Sequence, residues 1–530
     1  MNQQITQETG DEVVDLIIDT HKKNKQAIVF VNSRRSAEAC SDRVAKGLKI
    51  KRNKKLDNLA DQILKALSSP TKQCKRLAKN VRRGAAFHHS GLNYKQRGIV
   101  EDGFKNGLIK CVCATPSLAV GVDMPAYRVV IRDLKRFAGN WGMQYIPVLE
   151  YEQQIGRAGR PSYDTEGQGI VICKNEGEFE EILEKYLRGD PEDILSKLSS
   201  EPVLRTYVLS LIASRFVSNK EELMDFMKDT FYAHQYGNVS DLEFQIDNVT
   251  EKLKEWEFVR GNKKSNESAN EFVSASSLSK EDNESLKATK LGKRVSELYL
   301  DPYTANYLLE CMKKTNNKGA KPFALLHMIS NTLEMRPLFR VKKSEYEVVE
   351  GKLIETHGTL LASEPNRFSG EYDDFLNSVK TSIVLEHWIN ESKEEYLMDE
   401  FGVRPGPLYG KIERGDWLLY SCLEMAQLQG FRTLKRELQK LRVRLKNGVR
   451  EELLPLLRLK GIGRVRSRKL FRNGIKDLGG VKRVDVTTLA ELLGKKTALS
   501  IKKQVGQDLS PKDVKVKKNK RKGQISLEDF

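Results

Sequence analysis

The chain of 530 residues carries 91 Lys and Arg against 72 Asp and Glu, a formal net charge of +19, and is 39% hydrophobic. That length predicts three to five domains, each able to bury a core. No apolar run approaches the ~18 residues of a bilayer span, the start MNQQITQETGDEVV lacks a signal-peptide pattern, and the Cys residues at 40, 74, 111, 113, 173, 311 and 422 lack paired metal-ligand spacing, so a soluble, cytoplasmic protein with Cys as core filler is expected.

Taken in order, AIVFVNSRRSAE (Ala27 to Glu38) reads as a buried strand ending in Asn-Ser and opening a helix, with Arg34 and Arg35 at the turn. AAFHHSGLNYKQRGIVEDGF (Ala85 to Phe104) reads as a strand, a His-His-Ser-Gly turn and an amphipathic helix. No Cys or acid follows His88 and His89 at ligand spacing, which favours backbone hydrogen bonding or nucleic-acid contact over metal binding. CVCATPSLAVGVDMPA (Cys111 to Ala126) is an apolar run entering a Thr-Pro-Ser turn. In RVVIRDLKRFAGNWGMQYIPVLEY (Arg128 to Tyr151) two apolar runs flank a turn, predicting a β-hairpin with Phe137 and Trp141 near its tip. QQIGRAGRP (Gln153 to Pro161) leaves the backbone bare at Gly156 and Gly159 and spaces Arg157 and Arg160 by three, which predicts two guanidinium groups leaving one face of a short helix. Such a pair suits a triphosphate arriving from outside the lobe, whereas a surface Arg pair held by carboxylates is the plainer alternative. The alternation over residues 1–185 has the layout of a RecA-like α/β lobe with its active edge at the carboxyl ends of parallel strands.

These four ordered motifs resemble the second motor lobe of superfamily 2 helicases, and more narrowly the archaeal Holliday-junction-migration type, kin to the helicase domain of polymerase theta. The resemblance implies that Thr115 offers its hydroxyl to a nucleic-acid phosphate, and that Gly121 and Asp123 help position a nucleotide or its water. It implies that Arg157 and Arg160, with Gln153, complete an ATP site, and that Arg34 and His89 lie on the DNA side. The hairpin would be a wedge splitting duplex DNA, Phe137 and Trp141 stacking on the last base pair at roughly 1–3 kcal/mol per base. Packing of these aromatics on a neighbouring domain is the alternative.

Residues 186–292 turn helical and end in a strand pair around the polar stretch Gly261 to Ser285, a winged-helix plan. By resemblance this is a structural collar rather than a duplex reader. Residues 293–430 are helical in pattern, with Lys411, Arg414 and Trp417 spaced by three as a cationic stripe ending in an aromatic. Such a stripe suits a phosphate backbone and a stacked base, and the resemblance makes it the ratchet helix, although Gly410 stands where the family has a basic residue. Packing of Trp417 on a neighbouring domain is again the alternative. Residues 431–508 contain LKGIGRVRSRKL (Leu459 to Leu470), a helix-hairpin-helix in which Gly461 and Gly463 permit the tight turn. The amides after them, with Arg464, Arg466, Arg468 and Lys469, would hold a phosphate without reading bases. GGVKRVDVTTLAELLGKKTALSIKKQVG looks like a degenerate second copy packed on the first.

The charge is concentrated here: Phe431–Phe530 holds 29 Lys and Arg against 10 Asp and Glu, so residues 1–430 are neutral. The tail, 509–530, is basic and ends in QISLEDF, where Gln524, Leu527 and Phe530 resemble the peptide that binds the sliding clamp PCNA.

No G-x-x-x-x-G-K-[ST] loop occurs in the chain. Gly494-Lys-Lys-Thr497 lacks the glycine loop, and Asp399-Glu400 runs into Phe-Gly. The resemblance covers the C-terminal two-thirds to three-quarters of the family's protein, so the first lobe and its Mg²⁺ ligands are expected on a separate polypeptide or lost by truncation. The expected fold is multidomain: an α/β RecA-like lobe with a parallel sheet, then a winged helix, a helical ratchet bundle and a helix-hairpin-helix domain. The expected function is ATP-dependent, 3′ to 5′ DNA unwinding at stalled or branched forks. A fork-binding adaptor without a motor and a related RNA helicase are the alternatives.

Overall fold

The computed structural model describes residues 4–51, 53–67, 69–119, 121–124, 126–137, 142–159, 166–237, 240–262, 285–315 and 319–509. They belong to two compact units, Met1–Leu195 with Lys393–Lys411, and Ser196–Ser392 with Ile412–Phe530. None of their helices is long and apolar enough to cross a membrane.

In the first unit, strands β1 (Ala27–Phe30), β2 (Ala85–His88), β3 (Cys111–Ala114) and β4 (Arg128–Ile131) are followed by the short pair β5 (Lys135–Phe137) and β6 (Met143–Tyr145), then by β7 (Gln168–Val171). A five-stranded parallel sheet runs in the order β2-β3-β1-β4-β7. The strands β1 to β4 are buried along their whole length, which is why AIVF and CVCA read as continuous apolar runs rather than alternating ones. Val29, Phe30, Phe87, Val112 and Val130 join Ile17, Leu77 and Phe104 from the covering helices in one core. Each such side chain contributes roughly 1.5–3 kcal/mol by leaving water. Cys40, Cys74, Cys111 and Cys113 are buried as free thiols, in keeping with the filling role expected of Cys111 and Cys113.

Arg128 is fully buried in β4 and tolerated only because its donors are satisfied. Its guanidinium reaches Leu16 O at 2.7 Å, Thr20 Oγ1 at 2.8 Å, Gln168 Oε1 at 2.7 Å and Asp19 at 2.9 Å.

The lobe differs from the expected 1–185 by recruiting residues 393–411. Helix Glu394–Phe401 and the first turns of the long helix Pro405–Leu428 are part of this unit. Gly406 makes the docking possible: its N–H donates to Gly91 O at 3.1 Å, and a Cβ there would lie 2.1 Å from the Ser90 carbonyl.

The second unit opens with helices Glu201–Ala213, Lys220–Lys228, Phe231–Tyr236 and Ser240–Glu255. The antiparallel pair β8 (Val259–Asn262) and β9 (Ser285–Ala288) follows, then helix Lys290–Glu297. Gly292 lets that helix approach the backbone of Phe258, whose carbonyl would stand 2.0 Å from a Cβ. Helix Tyr372–Ile389 is the centre of the helical part, buried on nearly all sides from Phe375 to Ile389. Beyond it, helices Arg464–Arg472, Leu478–Arg483, Val486–Leu493 and Lys495–Gln504 share one core of Leu456, Leu470, Ile475, Val481, Leu489 and Ile501. The second, degenerate hairpin thus packs on the first, as expected.

Candidate functional site

The carboxyl edge of the parallel sheet gathers the loops that the sequence singles out. After β1, Ser33 caps helix Arg34–Gly47 by accepting from Ser36 N, which aims Arg34 outward; its Nη2 donates to Ser90 Oγ at 3.0 Å. Partial burial, and then the charge of Arg404, push the Arg34 guanidinium below its ordinary pKa. A spot where two guanidiniums crowd each other favours an anion. After β3, Thr115 is half-buried with its hydroxyl 3.0 Å from Ser117 Oγ, at the start of a single 3₁₀ turn. Gly121 follows at φ +77 with open space around it, and Asp123 is exposed.

Arg157 departs from the expectation. Helix Val148–Ile155 ends at Gly156, so Arg157 lies in a turn rather than on a helix face. The cause is the backbone after it: Ala158 bridges Ala126, and Gly159, at φ +64, donates to Ala126 O at 3.0 Å. Gly159 packs against Gly167, where a Cβ would meet Cα at 2.7 Å. Arg157 turns inward and donates to Val122 O at 2.6 Å and to Ala119 O, which braces the Gly121 loop. Burial lowers its pKa. Gln153 is exposed on the helix, whereas its neighbour Gln154 is buried. Arg160 lies outside the described residues.

His89 requires a correction. Its ring is fully buried, stacked on Phe87 at 5.4 Å, with Nδ1 accepting from Gly91 N at 3.0 Å and Nε2 3.3 Å from Glu38. It shapes the Ser90–Gly91 turn and cannot touch DNA. His88, nearly buried, lies 2.8 Å from Glu101.

Glu38 was not foreseen. Its carboxylate accepts from Gln73 at 2.9 Å, Arg76 at 2.6 Å and Arg404 at 2.8 Å, tying the His-His-Ser-Gly turn to the docked 393–411 segment. The local signal was a single acid at the fifth position of a helix, past its first turn, a placement that by itself names no partner.

The hairpin is present, with Lys135 opposite Tyr145 and Phe137 opposite Met143. Phe137 is 73% exposed; Trp141 lies outside the described residues. The hairpin root is braced by Tyr145, whose hydroxyl donates to Glu181 at 2.6 Å while Lys135 sits 4.1 Å over its ring. Asn32 Nδ2 donates to Lys135 O at 3.2 Å, joining the root to the end of β1.

The expected stripe on Pro405–Leu428 does not form. Lys411 is 4% exposed, Arg414 is exposed but donates to Arg336 O at 2.6 Å, and the Trp417 indole donates to Leu298 O at 3.1 Å. Spacing by three drifts by about 60° per step around a helix of 3.6 residues per turn, so three such residues cross from one face to another. Trp417 therefore takes the packed alternative.

In the helix-hairpin-helix, Gly461 has φ +86 and Gly463 starts helix Arg464–Arg472 in an extended conformation. Arg466 and Lys469 are exposed, donating to Gly461 O at 2.7 Å and Leu492 O at 2.5 Å. Arg464 stacks 4.6 Å over Trp388 and donates to Ser392 O, while Arg468 pairs with Glu391 and Glu452. Two of these cations face solvent and two hold the domain to the end of helix Tyr372–Ile389. Gln524, Leu527 and Phe530 lie outside the described residues.

Three family descriptions match the chain: "Helicase conserved C-terminal domain" over residues 9–162, "Archaeal helicase, domain 4" over 323–448, and "SAM-like Helix-hairpin-helix tandem" over 453–506. Proteins named ATP-dependent DNA helicase Hel308 are similar along nearly all of it. Those of Methanocella arvoryzae and Methanococcus vannielii are both 37% identical, over 94% and 92% of this chain. That of Pyrococcus horikoshii is 36% identical over 96% of it. The chain spans 65% to 67% of the length of these curated relatives.

Proposed function

Because the chain belongs to the Hel308 family of DNA helicases, we propose that it is the nucleic-acid-handling part of an ATP-dependent DNA helicase, moving 3′ to 5′ and opening branched or stalled-fork DNA. The observation that carries this reading is the similarity to named DNA helicases over 92% to 96% of the chain; beside it stand the Thr115 turn at the end of β3 and Arg157 bracing the open Gly121–Asp123 loop. Gly121, Asp123 and Gln153 would border ATP, whose phosphates are gripped by a P-loop lobe outside these 530 residues; the Mg²⁺ ligands belong to that lobe.

Arg157 acts as a positioning residue that fixes the Gly121 loop, and Arg160 reaches the phosphates. Arg34 and Thr115 hold the phosphate backbone, Phe137 and Trp141 end the splitting hairpin, and Gly461, Gly463, Arg466 and Lys469 take a further phosphate. The lobe motifs would serve an RNA helicase equally, but the helix-hairpin-helix favours DNA. Gln524, Leu527 and Phe530 would recruit a sliding clamp.

The test mixes the chain with a P-loop lobe polypeptide and measures ATP hydrolysis with and without forked DNA. Stimulated hydrolysis that Arg160→Ala abolishes, with DNA binding intact, is the expected result. DNA binding indifferent to ATP and no hydrolysis in any mixture would leave only a fork-binding adaptor.

A further inference from the structure

Helix Tyr346–Glu355 of the second unit buries Val349 and leaves its other side bare: Glu347, Val348, Glu350, Gly351, Ile354 and Glu355 are all exposed. At 3.6 residues per turn these six positions cover an arc of about 160°. Ile354 is 77% exposed and Val348 50%. The one cation of the helix, Lys352, lies outside that arc, where it pairs with Glu386 at 3.0 Å and, at the edge of the face, with Glu355 at 3.2 Å. Glu347 and Glu350 make no ion pair with a described residue. A face shaped only for solubility would intersperse both signs and hold few aliphatic side chains; this one holds three carboxylates, two aliphatics and no cation.

Such a face repels phosphate and suits a cationic segment with small apolar side chains. The chain supplies one in residues 514–522, VKVKKNKRK, which lie outside the described residues: six cations, two valines and no acid in nine positions. Reach is sufficient. Arg468 fastens the helix-hairpin-helix domain to Glu391, and Glu386, the partner of Lys352, precedes Glu391 by five residues, about 8 Å along helix Tyr372–Ile389 and its end. Beyond Leu509, the last described residue, a chain extending to residues 514–522 spans up to roughly 15–45 Å. A segment tethered in the same chain acts at an effective concentration on the order of millimolar, so several weak contacts are enough to seat it.

We propose that residues 514–522 dock on the Glu347, Glu350 and Ile354 face of their own chain, and that nucleic-acid phosphate, competing for the same cations, releases them. Docking needs neither a motor nor DNA; the release rests on the DNA-handling reading. The test is zero-length carbodiimide cross-linking of the full chain, which joins a Lys amine to a carboxylate touching it, read by mass spectrometry with and without a forked duplex. It is run in low salt and in ~1 M salt, where the screening length falls to about 3 Å. Ile354→Ser, at an exposed position, removes the apolar seat and keeps every carboxylate. In parallel, fork affinity by fluorescence anisotropy compares Glu347→Gln/Glu350→Gln/Glu355→Gln with Glu176→Gln/Glu180→Gln/Glu221→Gln, three exposed carboxylates of other helices.

The expected result is cross-links from Lys515, Lys517, Lys518, Lys520 or Lys522 to Glu347, Glu350 or Glu355, joining residues of one chain in an equal mixture of light and isotopically heavy protein. Their yield should fall about threefold or more in high salt, in Ile354→Ser and with the fork present. At low salt the first triple variant should bind the fork about threefold or more tighter than the control triple, because the freed cations reach the DNA. No such cross-link, an equal yield to Glu176 and Glu221, or only light-to-heavy cross-links, which would assign the face to a second copy, overturns the docking. A yield untouched by a fork that the parent binds, or equal affinity of the two triples, overturns the release. Failure of the parent to bind DNA would remove the DNA-handling reading and the release with it, while the cross-links still decide the docking.

Discussion

Glu38, 5% exposed, would by burial alone hold its proton more tightly; hydrogen bonds from His89 and Gln73 and the charge of Arg404 outweigh that and hold its pKa at about 2, against 4.5 ordinarily. A depressed carboxylate contributes stability that is fully present above pH ~4.5 and is lost as pH falls toward about 2. A displacement of that size corresponds to roughly 3 kcal/mol. Denaturant unfolding followed from pH 7 to 3 should therefore show a falling limb that Glu38→Gln flattens while lowering stability at neutral pH. Gly410 offers the opposite test. It lies inside the long helix, and a Cβ built there would meet open space. Gly410→Arg should raise stability by about 0.5–1 kcal/mol through helix propensity, read by thermal melting, and tighten DNA binding by adding a cation.

Among the elements, the helix-hairpin-helix separates cations that bind from cations that hold. Arg466 faces solvent at the turn, whereas Arg468 is engaged by Glu391 and Glu452. Arg466→Ala should weaken DNA binding and reduce the salt slope by about one without moving the melting temperature. Arg468→Ala should lower the melting temperature, because it leaves Glu391 and Glu452 without their partner. Binding by anisotropy and melting by calorimetry distinguish the two. The hairpin shows the same division: Phe137 is displayed, while Tyr145 and Asn32 fasten its root to the lobe. Its strand pairing was legible because a hairpin is a local event of a dozen residues.

For the whole molecule, local pattern and long-range approach determine different things. The apolar strand runs, the β5–β6 pair, the Gly461–Gly463 turn and the basic last hundred residues are local or compositional, and the sequence by itself determined the lobe, the helix-hairpin-helix and the placement of charge. Only the tertiary structure decided which polar side chains are spent inside. Arg157 turns to the carbonyls of Ala119 and Val122, His89 and Lys411 are buried, and Gly406 brings residues 393–411 onto the lobe more than 300 residues from their contacts. Sequence spacing says which residues can share a face; which face is covered, and by what, depends on segments far away in the chain. The carboxylates of Glu347 and Glu350 belong to the same class, since a Glu has the same local signature whether or not a cation has folded against it.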